Sequence, residues 1–173
     1  MMENYLDEVE QALASWRAGK ASLADVRSLP TKVGRRGSTS DIPAVMELLG
    51  HIDPIVRYNA AMSLAFKFGY KPVVEPLLAM LRDDQDADCR DVAAAGVCSL
   101  CRNSRDRDVL AALARAAEGD PDEDVRNSAY KALVCVNGIS DEQYLQLLEG
   151  TYLPTNLDRV KEIVNQTGNT KPA

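Results

Sequence analysis

Cys98 and Cys101 form a C-x-x-C, His51 is the single histidine, and Asp83, Asp84, Asp86 and Asp88 crowd six positions. Each spacing names a chemistry. A C-x-x-C serves as a redox couple or as half of a zinc site. The redox use places it at a helix N-terminus, where the dipole lowers a thiol pKa, and the zinc use needs a second Cys or His pair. Here the pair falls near the C-terminus of a predicted helix, and Cys89, Cys98 and Cys101 are flanked by Ala, Val and Leu. They read, with Cys135, as small buried apolar groups. His51 sits in a predicted interhelical turn with no nucleophile of its own, so a structural or solvated role is expected in place of a triad. The acidic run resembles a calcium loop but lacks the glycine and the bidentate glutamate at the twelfth position. It reads as a turn rich in N-cap residues, as does Asp120-Pro121-Asp122-Glu123-Asp124, where Asp120 and Glu123 have capping-box spacing. Val33-Gly34-Arg35-Arg36-Gly37 has no Walker pattern and reads as a surface loop able to meet an anion through Arg35 and Arg36. No catalytic site, metal or cofactor is expected.

Those residues hang on a repeat. The pattern D-x-x-[VC]-R-x-x-A-x-x-x-[LV] starts at Asp53, Asp86 and Asp122, and its arginines, Arg57, Arg90 and Arg126, are 33 and then 36 residues apart. A period in that range marks stacked supersecondary units. Pro43 and Pro76 each stand 14 residues before the arginine of their copy, which extends the register into a preceding helix and makes each unit a helix pair. First helices are predicted from Asp41, over 72–81 and over 106–117; second helices follow over 53–68, 86–102 and 121–136. In the second helices Asp53 takes the N-cap and Pro54 the N1 position. Before the array, a helix over 4–18 has Leu6, Val9, Leu13 and Trp16 on one face, a shorter helix over 22–29 stops at Pro30, and 31–40 reads as a loop. After it, 141–148 and 156–166 suggest a decayed pair, with Arg159 standing 33 residues beyond Arg126, and 167–173 reads as a frayed tail.

Val56, Ala60 and Leu64 fall at i, i+4 and i+8, as do Cys89, Ala93, Val97 and Val125, Ala129, Leu133. That side must be packed, with alanine allowing close approach. An arginine in a first helical turn opposes the dipole, so a specific partner is expected. The aspartate four residues earlier is the natural choice, giving a ladder of Asp53, Arg57, Asp86, Arg90, Asp122 and Arg126 in which each arginine bridges Asp carboxylates or turn carbonyls of its own and an adjacent repeat.

The proline-bearing first helix, the short turn and Asp-x-x-Val-Arg-x-x-Ala resemble HEAT repeats of the short variety also seen in bilin-lyase-type proteins. The resemblance covers 41–138 well, 139–166 weakly, and stops short of 1–40. It implies an all-α, right-handed α-solenoid of about four HEAT-like helix pairs: an N-terminal helical cap and loop over 1–40, three repeats over 41–138, a degenerate capping repeat over 139–166 and the tail. It is nearly silent about function, because such arrays serve as scaffolds, inhibitors, lyase subunits and nucleic-acid binders.

Charge narrows the choice. The net charge is −6, but 83–124 holds twelve acidic residues against five basic, while 17–36 holds six basic residues against Asp25 alone. An acidic middle disfavours a phosphate backbone and favours a basic protein surface. Apolar runs fall short of the roughly 20 residues that span a bilayer, and the N-terminus carries Glu3, Asp7, Glu8 and Glu10 where a signal peptide would be basic. A cytoplasmic, non-catalytic protein, monomeric on its own, is expected to bind through the variable positions of its second helices: Tyr58, Asn59, Asp91, Arg102, Asn127, Tyr130 and Lys131, or through its acidic turns. An immunity protein that neutralises a basic toxin suits these features best; a bilin-attaching lyase subunit and a HEAT-like nucleic-acid binder are the alternatives.

Overall fold

A computed structural model of the chain describes residues 2–36, 38–149 and 156–168, and the regular structure in them is helical throughout. The Leu6 and Val9 side chains, Gly37 and the expected tail beyond Gly168 lie outside the described residues. The chain divides into two compact units, one ending at Val73 and the other beginning at Val74.

The first unit contains α1 (Met2–Arg17), α2 (Leu23–Arg36), α3 (Ile42–Leu48, entered through a 3-10 turn at Thr39–Asp41) and α4 (Pro54–Met62). α2 starts as a capping box: Ser22 Oγ accepts the Asp25 N–H at 3.2 Å, and the Asp25 carboxylate accepts from Ser22 N and Oγ. It then runs through Pro30 to Arg36, correcting the expectation of a stop at Pro30 and a loop after it. A proline inside a helix removes one backbone bond at a cost of about 3 kcal/mol. Here burial of Val26, Leu29, Pro30, Val33 and Gly34 along one face opposes that cost. The Pro30 carbonyl accepts from Ser63 Oγ at 2.7 Å, which pins the proline turn to the next helix. Gly34 allows close approach to the next helix: a Cβ there would lie 3.0 Å from Ser63 Oγ and 3.3 Å from Lys67 Cγ.

In α4 the sequence expectation holds at the cap, where Asp53 Oδ1 accepts from the N–H groups of Ile55 and Val56 at 3.0 and 3.3 Å and Pro54 opens the helix. Val56, Ala60 and Leu64 are each fully buried. Beyond Met62 the helix loosens into a π turn, Ser63–Lys67, with the Phe68 N–H reaching back five residues to the Ser63 carbonyl at 3.0 Å. Gly69 ends it at φ +56°, a left-handed conformation that suits glycine.

The second unit contains α5 (Val74–Asp83), α6 (Ala87–Cys101), α7 (Arg107–Gly119), α8 (Glu123–Asn137), α9 (Asp141–Leu148) and α10 (Leu157–Gly168). α5 packs on α6 and α7 on α8; between pairs, α6 packs on α8 and α5 on α7. First helix meets first and second meets second, the stacking of an α-solenoid. Cys89, Ala93, Val97, Val125, Ala129 and Leu133 are all fully buried, the packed side that the i, i+4, i+8 pattern predicts. α10 departs from the scheme, lying more against α7 than against α8. Its N-cap is Asn156, whose Oδ1 accepts from Asp158 and Arg159 N–H groups. Counting from that cap, Val160 and not Arg159 takes the arginine position of the pattern, so the 33-residue match at Arg159 is a coincidence of number, and Val160 and Ile163 are buried instead.

Of the two kinds of rung expected, carboxylate and turn carbonyl, the arginines use turn carbonyls within their own repeats. Asp53, Asp86 and Asp122 turn their carboxylates onto the first N–H groups of their own helices. An acceptor folded over its own helix end points away from an arginine one turn further on. The arginines hold the turns: Arg57 Nη1 donates to the His51 and Ile52 carbonyls, Arg90 Nη1 to Asp84, and Arg126 Nη1 to Asp120 and Pro121. Arg90 also reaches the next pair, donating from Nε and Nη2 to the two Asp120 oxygens at 2.8 and 2.9 Å. The position two before the cap is thus the second connector. Asp84, Asp120 and, in the first unit, His51 Nδ1 each accept the backbone N–H of the cap residue. That gives His51 a structural job.

Candidate functional site

The second helices of the second unit present their N-terminal halves side by side. Between α6 and α8 lies an open groove of about 380 Å³, lined by Ala87, Asp88 and Asp91 from α6 and by Asp122, Asp124, Asn127, Ser128 and Lys131 from the start of α8. The register explains these residues. Cys89 and Ala93 face the core, so Asp88 and Asp91 flank them on the other side of α6. Val125 and Ala129 do the same for Asp124, Asn127, Ser128 and Lys131. Four carboxylates and one ammonium line the groove, and its potential is negative. Part of that charge is structural: Asp88 and Asp124 stand in first turns, where they oppose the positive helix ends, and Asp122 is a cap. Asp91 stands outside the first turn and has no such helix-end role.

Three of the expected partner-binding residues, Asp91, Asn127 and Lys131, come together here. The others do not join them. Tyr130 is turned inward with 1% of its surface exposed, which corrects its assignment to the surface. On α8 it follows Ala129, and a half-turn reading placed it outward; the α7 contact makes that side core as well. Asn59 belongs to the first unit, where its Nδ2 donates to the Arg27 carbonyl at 2.9 Å and joins α4 to α2. Tyr58, half-buried, is also in the first unit. Arg102, at the end of α6, pairs with Asp141 and lays its guanidinium 4.3 Å above the Tyr144 ring, fastening α9. Asp88, Asp124 and Ser128 were passed over as individual site residues, although the acidic turns to which the first two belong had been marked as a binding surface.

A second depression, about 430 Å³, lies between the first helices α5 and α7, with Leu78, Leu81, Ala112 and Ala116 as its apolar part and Glu75, Arg82, Asp108 and Arg115 around it. Ala112 stands there where the two earlier copies carry Pro43 and Pro76. Among the described residues, no group of three or more His, Cys, Asp or Glu is placed to hold a metal ion, and no helix is long and apolar enough to cross a membrane.

The repeat geometry now has an external counterpart. Residues 26–98 match the family model of HEAT repeats. That span carries HEAT repeats. The match begins at Val26, inside the 1–40 segment expected to be an N-terminal helical cap and loop. Val26-Arg27 repeats the Val-Arg pair of the motif, but Leu23, Pro30 and Gly34 stand at its aspartate, alanine and Leu/Val positions, and the α2 cap is Ser22, one residue earlier than the motif requires. Arg27 still acts as a connector: its Nε and Nη2 grip both Asp53 oxygens, the shorter contact at 2.6 Å, much as Arg90 grips Asp120. The Asp53 carboxyl is held below the usual range first by Arg27 and then by the N–H groups it caps. HEAT repeats commonly form protein-interaction modules; the matched residues include most of α6 and end before α8. A comparison with curated proteins finds no match.

Proposed function

We propose that this chain is a protein-binding HEAT module whose α6–α8 groove receives lysine and arginine side chains of a basic protein. The observation that carries the reading is the groove's lining of Asp88, Asp91, Asp122 and Asp124 against the single cation Lys131. Such a lining repels a phosphate backbone, which is bound through clustered Lys and Arg, and steers a basic surface toward itself. Steering of this kind lifts association from about 10⁵–10⁶ to as much as 10⁸–10⁹ M⁻¹s⁻¹ at low salt. The finer reading is an immunity protein that covers the active site of a basic toxin; the acidic groove and the binding role common to HEAT arrays support it.

The test is capture of partners from the native host on the immobilised chain and on a variant carrying Asp88→Asn, Asp91→Asn and Asp124→Asn. A basic protein held one-to-one by the wild type, released as salt rises and lost from the variant, is the expected result. Retention by both alike, or release insensitive to salt, overturns the groove as the binding site. If the captured protein is a toxin whose activity the wild type blocks and the variant does not, the finer reading stands; a captured partner with no inhibited activity removes it.

A further inference from the structure

Further along the same two helices, Cys98 near the end of α6 faces Cys135 near the end of α8. The Cys135 thiol donates to the Cys98 carbonyl oxygen at 3.3 Å, which brings the two cysteines together across α6 and α8. Both are buried, at 7% and 0% exposed, and both are reduced. Neither is needed for the groove described above.

We propose that Cys98 and Cys135 close a disulfide between α6 and α8 when the chain meets hydrogen peroxide, stapling together the two helices that carry the acidic groove. Cys135 is the nucleophile. The neighbouring Cys98 thiol and, against the cost of burial, the nearby Arg102 guanidinium favour its thiolate. The neighbouring Cys135 and then burial hold the Cys98 proton more tightly than an ordinary thiol's. The Cys135 thiolate attacks one peroxide oxygen, the O–O bond breaks, hydroxide leaves and a sulfenic acid remains. The Cys98 sulfur then attacks the Cys135 sulfur; the S–O bond breaks, the S–S bond forms, and the Cys98 proton leaves with the oxygen as water. In sum two thiols give up two protons and two electrons, and peroxide becomes two waters. Cys101, half-buried one turn beyond Cys98, is the competing partner. It sits on the same helix as Cys98, and a bridge between them would have to bend the last turn of α6.

The experiment treats the full chain with hydrogen peroxide, alkylates residual thiols and digests it without reduction. The expected result is a peptide joining Cys98 to Cys135, an intact mass lower by two hydrogens, and a higher thermal midpoint, all reversed by dithiothreitol. Cys98→Ser and Cys135→Ser lose the link, while Cys89→Ser and Cys101→Ser keep it. A Cys98–Cys101 bridge, cross-links between chains, oxidised but unlinked cysteines, or a Cys98–Cys135 link that leaves the midpoint unmoved would each overturn the proposal. The wild-type arms decide the matter even if a serine variant folds poorly.

Discussion

Arg90 concentrates the logic of the repeat in one side chain. About a tenth of it is exposed, it closes its own turn through the Asp84 carbonyl, and it grips Asp120, whose side chain is 6% exposed. Burial pushes the Asp120 carboxyl up, yet the hydrogen bonds from Arg90 and from the Asp122 N–H outweigh it and leave the group below the usual carboxylate range. Replacing Asp120 with alanine strands a buried guanidinium and frees the Asp122 N–H. A loss of about 3–5 kcal/mol is expected by urea unfolding, and the double variant Arg90→Met, Asp120→Leu should lose less than the single one. A single variant within 1 kcal/mol of wild type would show the pair to be idle. Sequence made the arginine conspicuous and its partner obscure. The aspartate at the cap repeats three times and caps its own helix, but the carboxylate that a neighbouring arginine grips changes place: Arg27 takes the cap Asp53 itself, and Arg90 takes Asp120, two residues before a cap.

Second helices were legible wherever an aspartate capped them and alanine marked the packed side, as in α4, α6 and α8. The helix α2 was not, because a proline is read locally as a stop while its fate depends on what the helix buries. Gly34 shows what that packing demands. Gly34→Ala gains up to about 1 kcal/mol of helix propensity but sets a methyl 3.0 Å from Ser63 Oγ, which is held by the Pro30 carbonyl and cannot easily retreat. Overpacking of this kind costs about 1–3 kcal/mol, so a net loss of stability is expected. Ser63→Ala removes the obstructing oxygen, and the double variant should cost less than the sum of the two singles; strict additivity would mean the helices do not meet there. The candidate groove was half legible for the same reason: periodicity reveals which residues leave the core, and Asp91, Asn127 and Lys131 were found that way, but whether the next side faces solvent or another helix is a tertiary matter, and Tyr130 went to the core.

Across the chain the acidic balance does structural work before it meets any partner. Asp53 and Asp120 are shifted below the ordinary carboxylate value by hydrogen bonds from Arg27 and Arg90, which only the fold brings to them. A carboxyl lowered by folding binds fewer protons folded than unfolded. Its contribution is complete above the unfolded value of about 3.9 and is lost as pH falls through the lowered one. Urea midpoints should therefore stay level from pH 7 to about 5 and drop below about 4; a midpoint that climbs at pH 3, as relief of self-repulsion alone would give, contradicts this. The placement of α10 has a consequence of another kind. A bare end of a repeat stack offers a surface shaped for one more copy of itself, which is the condition under which chains add head to tail into open filaments. By taking ground on α7 with a helix whose register departs from the motif, α10 gives that end of the second unit a face no further repeat would fit.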